Sequence, residues 1–161
     1  MFLIILILAF LFVIGGLMKL KYSAQLQLIE KDNKGSCTAM CTPIEATAYH
    51  LIFIAPNPKI SENFLPRAVT PNPQQELRKK QCEGWALSLF DTETNAANFM
   101  AERCNDKKNL YKYLGTHLAA VKVEKEDGVG AEVEGNGHFN FHESAKVDFS
   151  TKVTGVTQLY P

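Results

Sequence analysis

The sequence has no excess of charge of either sign, because 17 lysine and arginine residues balance 17 aspartate and glutamate residues. Without net positive charge there is no long-range field to gather phosphate groups, so nucleic acid is not an expected partner. The chain also contains no internal repeat and no low-complexity segment. At 161 residues it has room for one globular domain rather than two.

Charged residues are missing altogether from the N-terminal segment. Residues 2–18 form one apolar run with neither a charge nor a hydrogen-bonding side chain. Such a run makes about 25 Å of helix, close to the roughly 30 Å hydrocarbon core of a bilayer. A core helix of a soluble protein would show a polar stripe, which this run lacks. The sequence therefore predicts a transmembrane helix over residues 1–20, with the membrane as a partner through residues 2–18, and a soluble domain over 21–161.

Two other interpretations of this segment stay open. A cleaved signal peptide normally begins with basic residues and ends in small ones, whereas here nothing basic precedes the run and Lys19 follows it. Alternatively, translation starts at Met18, which would leave a fully cytoplasmic protein. For an anchored chain, Lys19, Lys21, Lys31 and Lys34 favour a cytoplasmic domain by the positive-inside rule. An extracytoplasmic domain is the alternative.

Cysteine is scarce, with four residues in the chain. A domain of this size folds without disulfide bridges, and we interpret the four as reduced, mostly buried thiols, with a disulfide as the alternative. Cys37 and Cys41 together with Cys82 are weak candidates for a metal site, because zinc sites usually have two residues between paired cysteines. The sequence therefore predicts no metal and no cofactor. The sequence does not determine which of Cys37, Cys41, Cys82 and Cys104, if any, form a disulfide.

The pattern of apolar residues indicates a mixture of helices and strands. Apolar residues alternate, or form short runs bounded by turn residues, in seven predicted strands: 22–29, 46–55, 85–91, 116–124, 129–134, His138–Glu143 and 152–159. Helical segments are predicted at 74–80, from Thr92 or Thr94 to Cys104, and at 108–114. This order predicts an α+β domain with a mainly antiparallel sheet and two or three short helices.

Residues 56–73 form a proline-rich loop that holds five of the seven prolines. Each proline removes a backbone hydrogen-bond donor, so the segment is expected to be irregular. Long irregular loops are often functional, and we expect this one to be part of the working surface. Trp85, the only tryptophan, is predicted to lie in the core at the head of a strand, with the loop as a lid.

The segment His138–Glu143 carries the most suggestive polar residues. Strand alternation places His138, Asn140 and His142 on one face and two phenylalanines on the other. Four residues of strand span about 13 Å, too far for the two imidazoles to share one metal ion. We interpret the three residues as the solvated outer face of an amphipathic strand. The alternative is a groove in which they bind a ligand or partner together with Trp85. His138 and His142 are also the candidate general acids or bases.

No specific catalytic motif accompanies these residues. Ser88 lies in a predicted strand and lacks the flanking glycines of a nucleophile elbow, so it is set aside. The glycines near residues 127–137 lack the ending of a phosphate-binding loop and are interpreted as hairpin turns. The acidic residues of this segment are interpreted as a solvated hairpin, with an acidic patch for a basic partner as the alternative: Glu124, Glu126, Asp127, Glu132 and Glu134.

Three functional hypotheses follow from these patterns. The leading one is a membrane-anchored, non-enzymatic domain that binds another protein or a small ligand. The second is a small hydrolase or transferase in which His138 or His142 acts with a carboxylate from elsewhere in the fold. It requires a concave pocket that holds one of these histidines within hydrogen-bond reach of an acid or a nucleophile. The third is a soluble immunity-type or antitoxin-like partner protein, if translation starts at Met18.

Overall fold

Six antiparallel strands form one sheet at the centre of the structure. The computed structural model describes residues 18–33 and 35–161. The strands are β1 (Ala46–Ile52), β2 (Leu87–Phe90), β3 (His117–Val123), β4 (Gly128–Gly130), β5 (His138–Glu143) and β6 (Val153–Gln158). Their order across the sheet is β4-β5-β2-β1-β3-β6, and all neighbouring strands are antiparallel. This sheet, with its helices, forms a single α+β domain, as the sequence predicts.

Four α-helices lie in the described part of the chain. They are α1 (Ser23–Asn33), α2 (Gln75–Arg78), α3 (Glu93–Asp106) and α4 (Tyr111–Leu114). Short 3₁₀ helices lie at Pro58–Glu62, Cys82–Trp85, Lys125–Asp127 and Phe149–Lys152. The Thr92 hydroxyl caps α3 by accepting from the Asn95 N–H at 3.1 Å. Helix α4 ends at Gly115, whose φ of 140° suits glycine. The sequence predicts both of these helix ends.

Apolar side chains cover both faces of the sheet. On one face, Phe139 and Phe141 of β5 pack against Phe149, which confirms their predicted place in the core. On the other face, Phe90 and Leu118 lie in a second cluster with side chains of α3. Because β2 alternates between these clusters, the side chain of every second residue points to the α3 face.

The predicted strand over residues 22–29 is wrong, because Ser23–Asn33 forms helix α1. The alternation of leucine and glutamine suggests a strand, but both residues are also good helix formers. Tyr22, Leu26 and Ile29 follow the spacing of one helical face, and Leu26 and Ile29 are buried. Leu28 belongs to the alternating pattern but is 66% exposed. Helical packing therefore determines the conformation of this segment.

Trp85 neither begins a strand nor lies in the core. It is half-buried in the 3₁₀ helix that precedes β2. Its indole N–H donates to the Lys79 carbonyl at 3.1 Å, and its ring centroid lies 5.4 Å from that of Tyr22. Strand β2 is therefore shorter than the predicted strand 85–91, and the tryptophan instead packs against Tyr22, the residue before α1.

In residues 18–33 and 35–161, no helix is both long and apolar enough to cross a bilayer. The transmembrane helix predicted over residues 1–20 falls almost entirely outside the described residues. It stays a prediction.

Candidate functional site

A cleft opens on the face of the sheet that also carries α3. Ser88, His138 and Asn140 line its floor, and Arg67 of the proline-rich loop and Arg78 of α2 also line it. This part of the cleft has a volume of about 400 Å³. A neighbouring depression of about 420 Å³ shares Ser88 and both arginines. These volumes are in the range of pockets that bind small molecules.

The register of β2 and β5 brings a serine next to a histidine. Ser88 pairs with Asn140, and Phe90 pairs with His138. Paired residues of antiparallel strands lie on the same face, so all four side chains share the α3 face. His138 Nε2 lies 2.7 Å from Ser88 Oγ. The edge of the imidazole packs against Phe90, with 5.5 Å between the ring centroids. The hydroxyl and the imidazole are therefore in direct hydrogen-bond contact.

A tight turn places a carboxylate beside the other nitrogen of His138. Glu134 Oε1 lies 3.4 Å from His138 Nδ1. The Glu134 N–H donates to the His138 carbonyl, and the Gly137 N–H donates to the Glu134 carbonyl, each at 2.8 Å. Gly137 has a φ of 81°, and a Cβ there would clash with the Asp91 carboxylate, so this turn requires glycine. With Nδ1–H facing Glu134, Nε2 is free to accept the Ser88 hydroxyl proton.

His50 lies where β1 and β2 separate. These strands share a single register pair, Tyr49 with Phe90. Beside this pair, His50 Nδ1 lies 2.8 Å from the Ser88 carbonyl oxygen. A carbonyl only accepts, so Nδ1 carries the proton. Phe64 stacks on the ring, with 5.0 Å between centroids. Burial lowers the pKa of His50 to about 4, and the charge of Arg67 adds to this, although the hydrogen bond to Ser88 opposes it. His50 is therefore neutral at neutral pH.

The guanidinium groups of Arg67 and Arg78 line the cleft. Among the described residues, neither of them forms an ion pair with a carboxylate. Arg67 and Arg78 border three adjoining depressions. Arg78 donates to the Gln81 side chain at 3.2 Å. Burial, and then the charge of Arg78, lower the pKa of Arg67, whereas Glu62 acts in the opposite direction. Arg67 is exposed to solvent. An anion in the cleft would therefore meet two guanidinium groups that pair with no carboxylate of the described residues.

His142 does not lie on the solvated face that strand alternation predicts. It is 4% exposed, and burial lowers its pKa while Glu83 opposes this shift. Its neighbour Glu143 is also buried, with Oε1 3.2 Å from Lys21 Nζ. Within the described residues, His142 Nδ1 and Glu143 Oε2 have no hydrogen-bond partner. The structure therefore separates the two candidate histidines, because His138 lines the cleft and His142 is buried beside Glu143.

Replacement of Glu143 by glutamine is expected to change how stability depends on pH. Burial raises the pKa of Glu143, and Lys21 opposes this only in part. Because the folded-state pKa lies above the usual 4.5, the stability that Glu143 contributes is fully present below that value and is lost as pH rises through the folded pKa. Urea titrations give the free energy of unfolding of the wild type and of Glu143→Gln. The wild type should exceed the variant by more at about pH 5 than at about pH 7.5. An equal or smaller difference at the lower pH would contradict this.

Cys37 and Cys82 are joined in a disulfide, so the expectation of reduced thiols is wrong for these two residues. The bridge also removes both from the weak metal-site candidate that included Cys41. Cys41 and Cys104 are free, and burial raises the pKa of Cys41. In residues 18–33 and 35–161, no group of three or more His, Cys, Asp and Glu side chains is arranged to hold a metal ion. The bridge joins the segment after α1 to the turn before β2.

The structure brings together two of the four predicted binding residues. His138 and Asn140 line the cleft, whereas Trp85 and His142 are not among its lining residues. The sequence around Ser88 lacks a nucleophile elbow and gives no reason to select it, yet its hydroxyl contacts His138 in the fold. The signal that identifies Ser88 is its cross-strand pairing with Asn140, which depends on a strand order that one sequence does not show.

Comparisons with models of protein families, with curated proteins and with solved structures found no match to this chain. The function of the cleft is therefore inferred from its own residues.

Proposed function

We propose that the chain is a membrane-anchored domain that binds a small anionic ligand in this cleft. The observation that supports the proposal is the pair of guanidinium groups of Arg67 and Arg78 beside a cavity of about 400 Å³. The two guanidinium groups repel each other across the cleft, and a bound anion offsets this repulsion. Guanidinium groups bind carboxylate and phosphate groups through two parallel hydrogen bonds, so either group is a suitable ligand.

Charge is distributed unevenly along the cleft, and this supports a position for the anion. Glu83 and Glu134 line the part over β5. The neighbouring depression beside α3 adds Arg103 to the two shared arginines, and Glu62 is its one acidic lining residue. The anionic group of a ligand is therefore expected beside α3, with the rest of the ligand over Ser88 and His138. The concave shape favours a small ligand over a protein partner.

The anchor and the compartment are part of the same proposal. The apolar run of residues 2–18 supports a membrane anchor. The Cys37–Cys82 disulfide favours an oxidising compartment and hence an extracytoplasmic domain, because structural disulfides are rare in the cytoplasm. Lysines after the run favour the opposite orientation, but their effect is a tendency, whereas the disulfide is a covalent feature of the domain itself. The soluble form that starts at Met18 stays an alternative.

Replacement of Arg67 by glutamine is expected to weaken anion binding about 10- to 100-fold, because it removes a charge-assisted hydrogen-bond pair of about 1.5–3 kcal/mol. Isothermal titration calorimetry of the full chain with adipate and with inorganic phosphate measures this. The two probes distinguish a carboxylate site from a phosphate site. Arg78→Gln should have a similar effect, since both guanidinium groups line the same cavity.

Lys125→Gln is the matched control, because it removes one positive charge outside the cleft, where Lys125 lies 3.8 Å from Glu45. Its affinity for both probes should equal that of the wild type, apart from a small change that salt screens. If Arg67→Gln and Lys125→Gln bind adipate and phosphate equally well, or if the wild type binds neither probe, the proposal is wrong.

A further inference from the structure

We infer that the same cleft is a hydrolytic site, in which Ser88 is the nucleophile, His138 the general base and Glu134 the carboxylate that orients His138. Its substrates are esters whose acyl part carries a second, negatively charged group. The class of substrate rests on the anion-binding function proposed above. The role of Ser88 does not, because it depends on contacts with His138 alone.

The three side chains form a continuous relay across two strands and a turn. Ser88 Oγ lies 2.7 Å from His138 Nε2, and His138 Nδ1 lies 3.4 Å from Glu134 Oε1. One tautomer satisfies both contacts, with the proton on Nδ1 and the lone pair of Nε2 toward the serine. The second distance is longer than a hydrogen bond between these groups, and such contacts commonly shorten when substrate binds.

The position of Ser88 distinguishes this relay from a hydrogen-bonded pair that only satisfies polar groups. Ser88 is exposed, and it lines both depressions of the cleft. It therefore shares the cleft with both arginines and with His138, where a bound molecule can reach its hydroxyl. A serine that served only to satisfy the imidazole would need neither solvent access nor a cavity of about 400 Å³ above it.

Acylation follows from this geometry. Ser88 Oγ attacks the carbonyl carbon of the ester, a C–O bond forms, and the hydroxyl proton passes to His138 Nε2. The carboxylate of Glu134 stabilises the imidazolium that results. When the tetrahedral intermediate collapses, the bond from the carbonyl carbon to the leaving oxygen breaks, and His138 gives its proton to that oxygen. The products of this half-reaction are the alcohol and an acyl group on Ser88.

Hydrolysis of the acyl-enzyme completes the cycle without another reactant besides water. A water molecule gives a proton to His138 Nε2 as its oxygen attacks the acyl carbon. Collapse of this second intermediate breaks the bond to Ser88 Oγ, which takes the proton back from His138. The carboxylic acid leaves and ionises in solution. No oxidant, reductant or metal is involved in either half-reaction.

Two further groups complete the site. Asn140 is the cross-strand partner of Ser88 on the same face, so its side-chain amide is placed to donate to the oxyanion that develops beside Ser88. Arg67 and Arg78 bind the distant carboxylate of the acyl chain and hold the ester carbonyl over Ser88. This arrangement predicts that an anionic ester reacts faster than a neutral ester of the same length.

The test uses two matched esters and the full chain. They are the mono-p-nitrophenyl ester of adipic acid, whose acyl chain ends in a carboxylate, and p-nitrophenyl hexanoate, which is neutral. Release of p-nitrophenol should be catalysed for both, with a kcat/KM at least about 10-fold higher for the adipate ester. A fluorophosphonate should also add covalently to Ser88, as peptide mass spectrometry would show.

Ser88→Ala should lower kcat for the adipate ester by about 1,000-fold or more and abolish labelling by the fluorophosphonate, and His138→Gln should have a comparable effect on kcat. Ser150→Ala is the matched control. It removes an exposed hydroxyl that donates to the Asp148 carboxylate and does not line the cleft. It should keep wild-type turnover. Circular dichroism of each variant shows whether it is folded, and adipate binding by Ser88→Ala shows whether its cleft is intact.

The outcomes separate this inference from the proposed function. If the wild type binds adipate but neither hydrolyses the esters nor is labelled at Ser88, the hydrolytic site is wrong and the anion site stands. The hydrolytic site is also wrong if Ser88→Ala retains wild-type turnover. If both esters are hydrolysed equally and in a Ser88-dependent way while Arg67→Gln has no effect on adipate binding, the anion site is wrong and the catalytic role of Ser88 stands.

Discussion

Loss of the Cys37–Cys82 disulfide is expected to lower the free energy of unfolding by about 2–4 kcal/mol. The two cysteines are 45 residues apart, and a bridge across a segment of that length removes many conformations from the unfolded chain. The segment includes β1 and the proline-rich loop that carries Arg67. For a domain of this size the change corresponds to a fall in Tm of about 5–15 °C.

Thermal unfolding followed by circular dichroism measures this effect in Cys37→Ala, Cys82→Ala and the double variant. The three variants should be equally destabilised, because each of them breaks the same bond. Cys104→Ala is the control, since Cys104 is free, and it should unfold within a few degrees of the wild type. A double variant as stable as this control would show that the bridge does not stabilise the fold.

The redox state of Cys37 and Cys82 in the native host tests which compartment holds the domain. Protein isolated from its native host and alkylated under denaturing conditions without reductant should carry two modified cysteines, Cys41 and Cys104. Alkylation of all four would indicate a reducing compartment and would favour the cytoplasmic orientation suggested by the lysines near Lys19. The result therefore distinguishes an extracytoplasmic domain from a cytoplasmic one, whether anchored or started at Met18, independently of the unfolding experiment.

Local sequence signals predicted most of the fold. The bounds of β5 agree with the predicted strand His138–Glu143, and Thr92 caps α3 as its side chain suggests. These elements are determined by alternation, capping and glycine turns within a few residues. The segment 22–29 was mispredicted because its leucines fit two periods, and only burial of Leu26 and Ile29 against the domain selects the helix.

The site was predictable only in part, because it depends on contacts between distant segments. His138 and Asn140 were identified from one strand, but Ser88 is 50 residues from His138. Arg67 had no motif around it, and only its position in a proline-rich loop suggested a functional surface. His50 lies in an apolar run, and its hydrogen bond to a carbonyl arises from the separation of two strands. Such contacts follow from strand order, which a single sequence does not give.

Acid is expected to destabilise the domain through His50 as pH falls from 6.5 toward about 4. Burial lowers the pKa of His50 to about 4, whereas an exposed histidine has a pKa of 6.5. The unfolded chain therefore binds a proton at His50 in the range where the folded chain does not. The stability that depends on neutral His50 is present above pH 6.5 and is lost as pH falls toward the folded value of about 4.

The expected loss is about 2–3 kcal/mol between these two pH values, given about 1.4 kcal/mol per pKa unit and some solvent contact of the ring. His50→Gln removes this titration and keeps a donor for the Ser88 carbonyl. Urea unfolding at a series of pH values should therefore give a smaller loss of stability for His50→Gln than for the wild type. The buried His142 is present in both proteins, so its own titration cancels in the difference. NMR titration of the His50 ring measures its pKa directly, and a value near 6.5 would contradict the prediction, as would equal slopes for the two proteins.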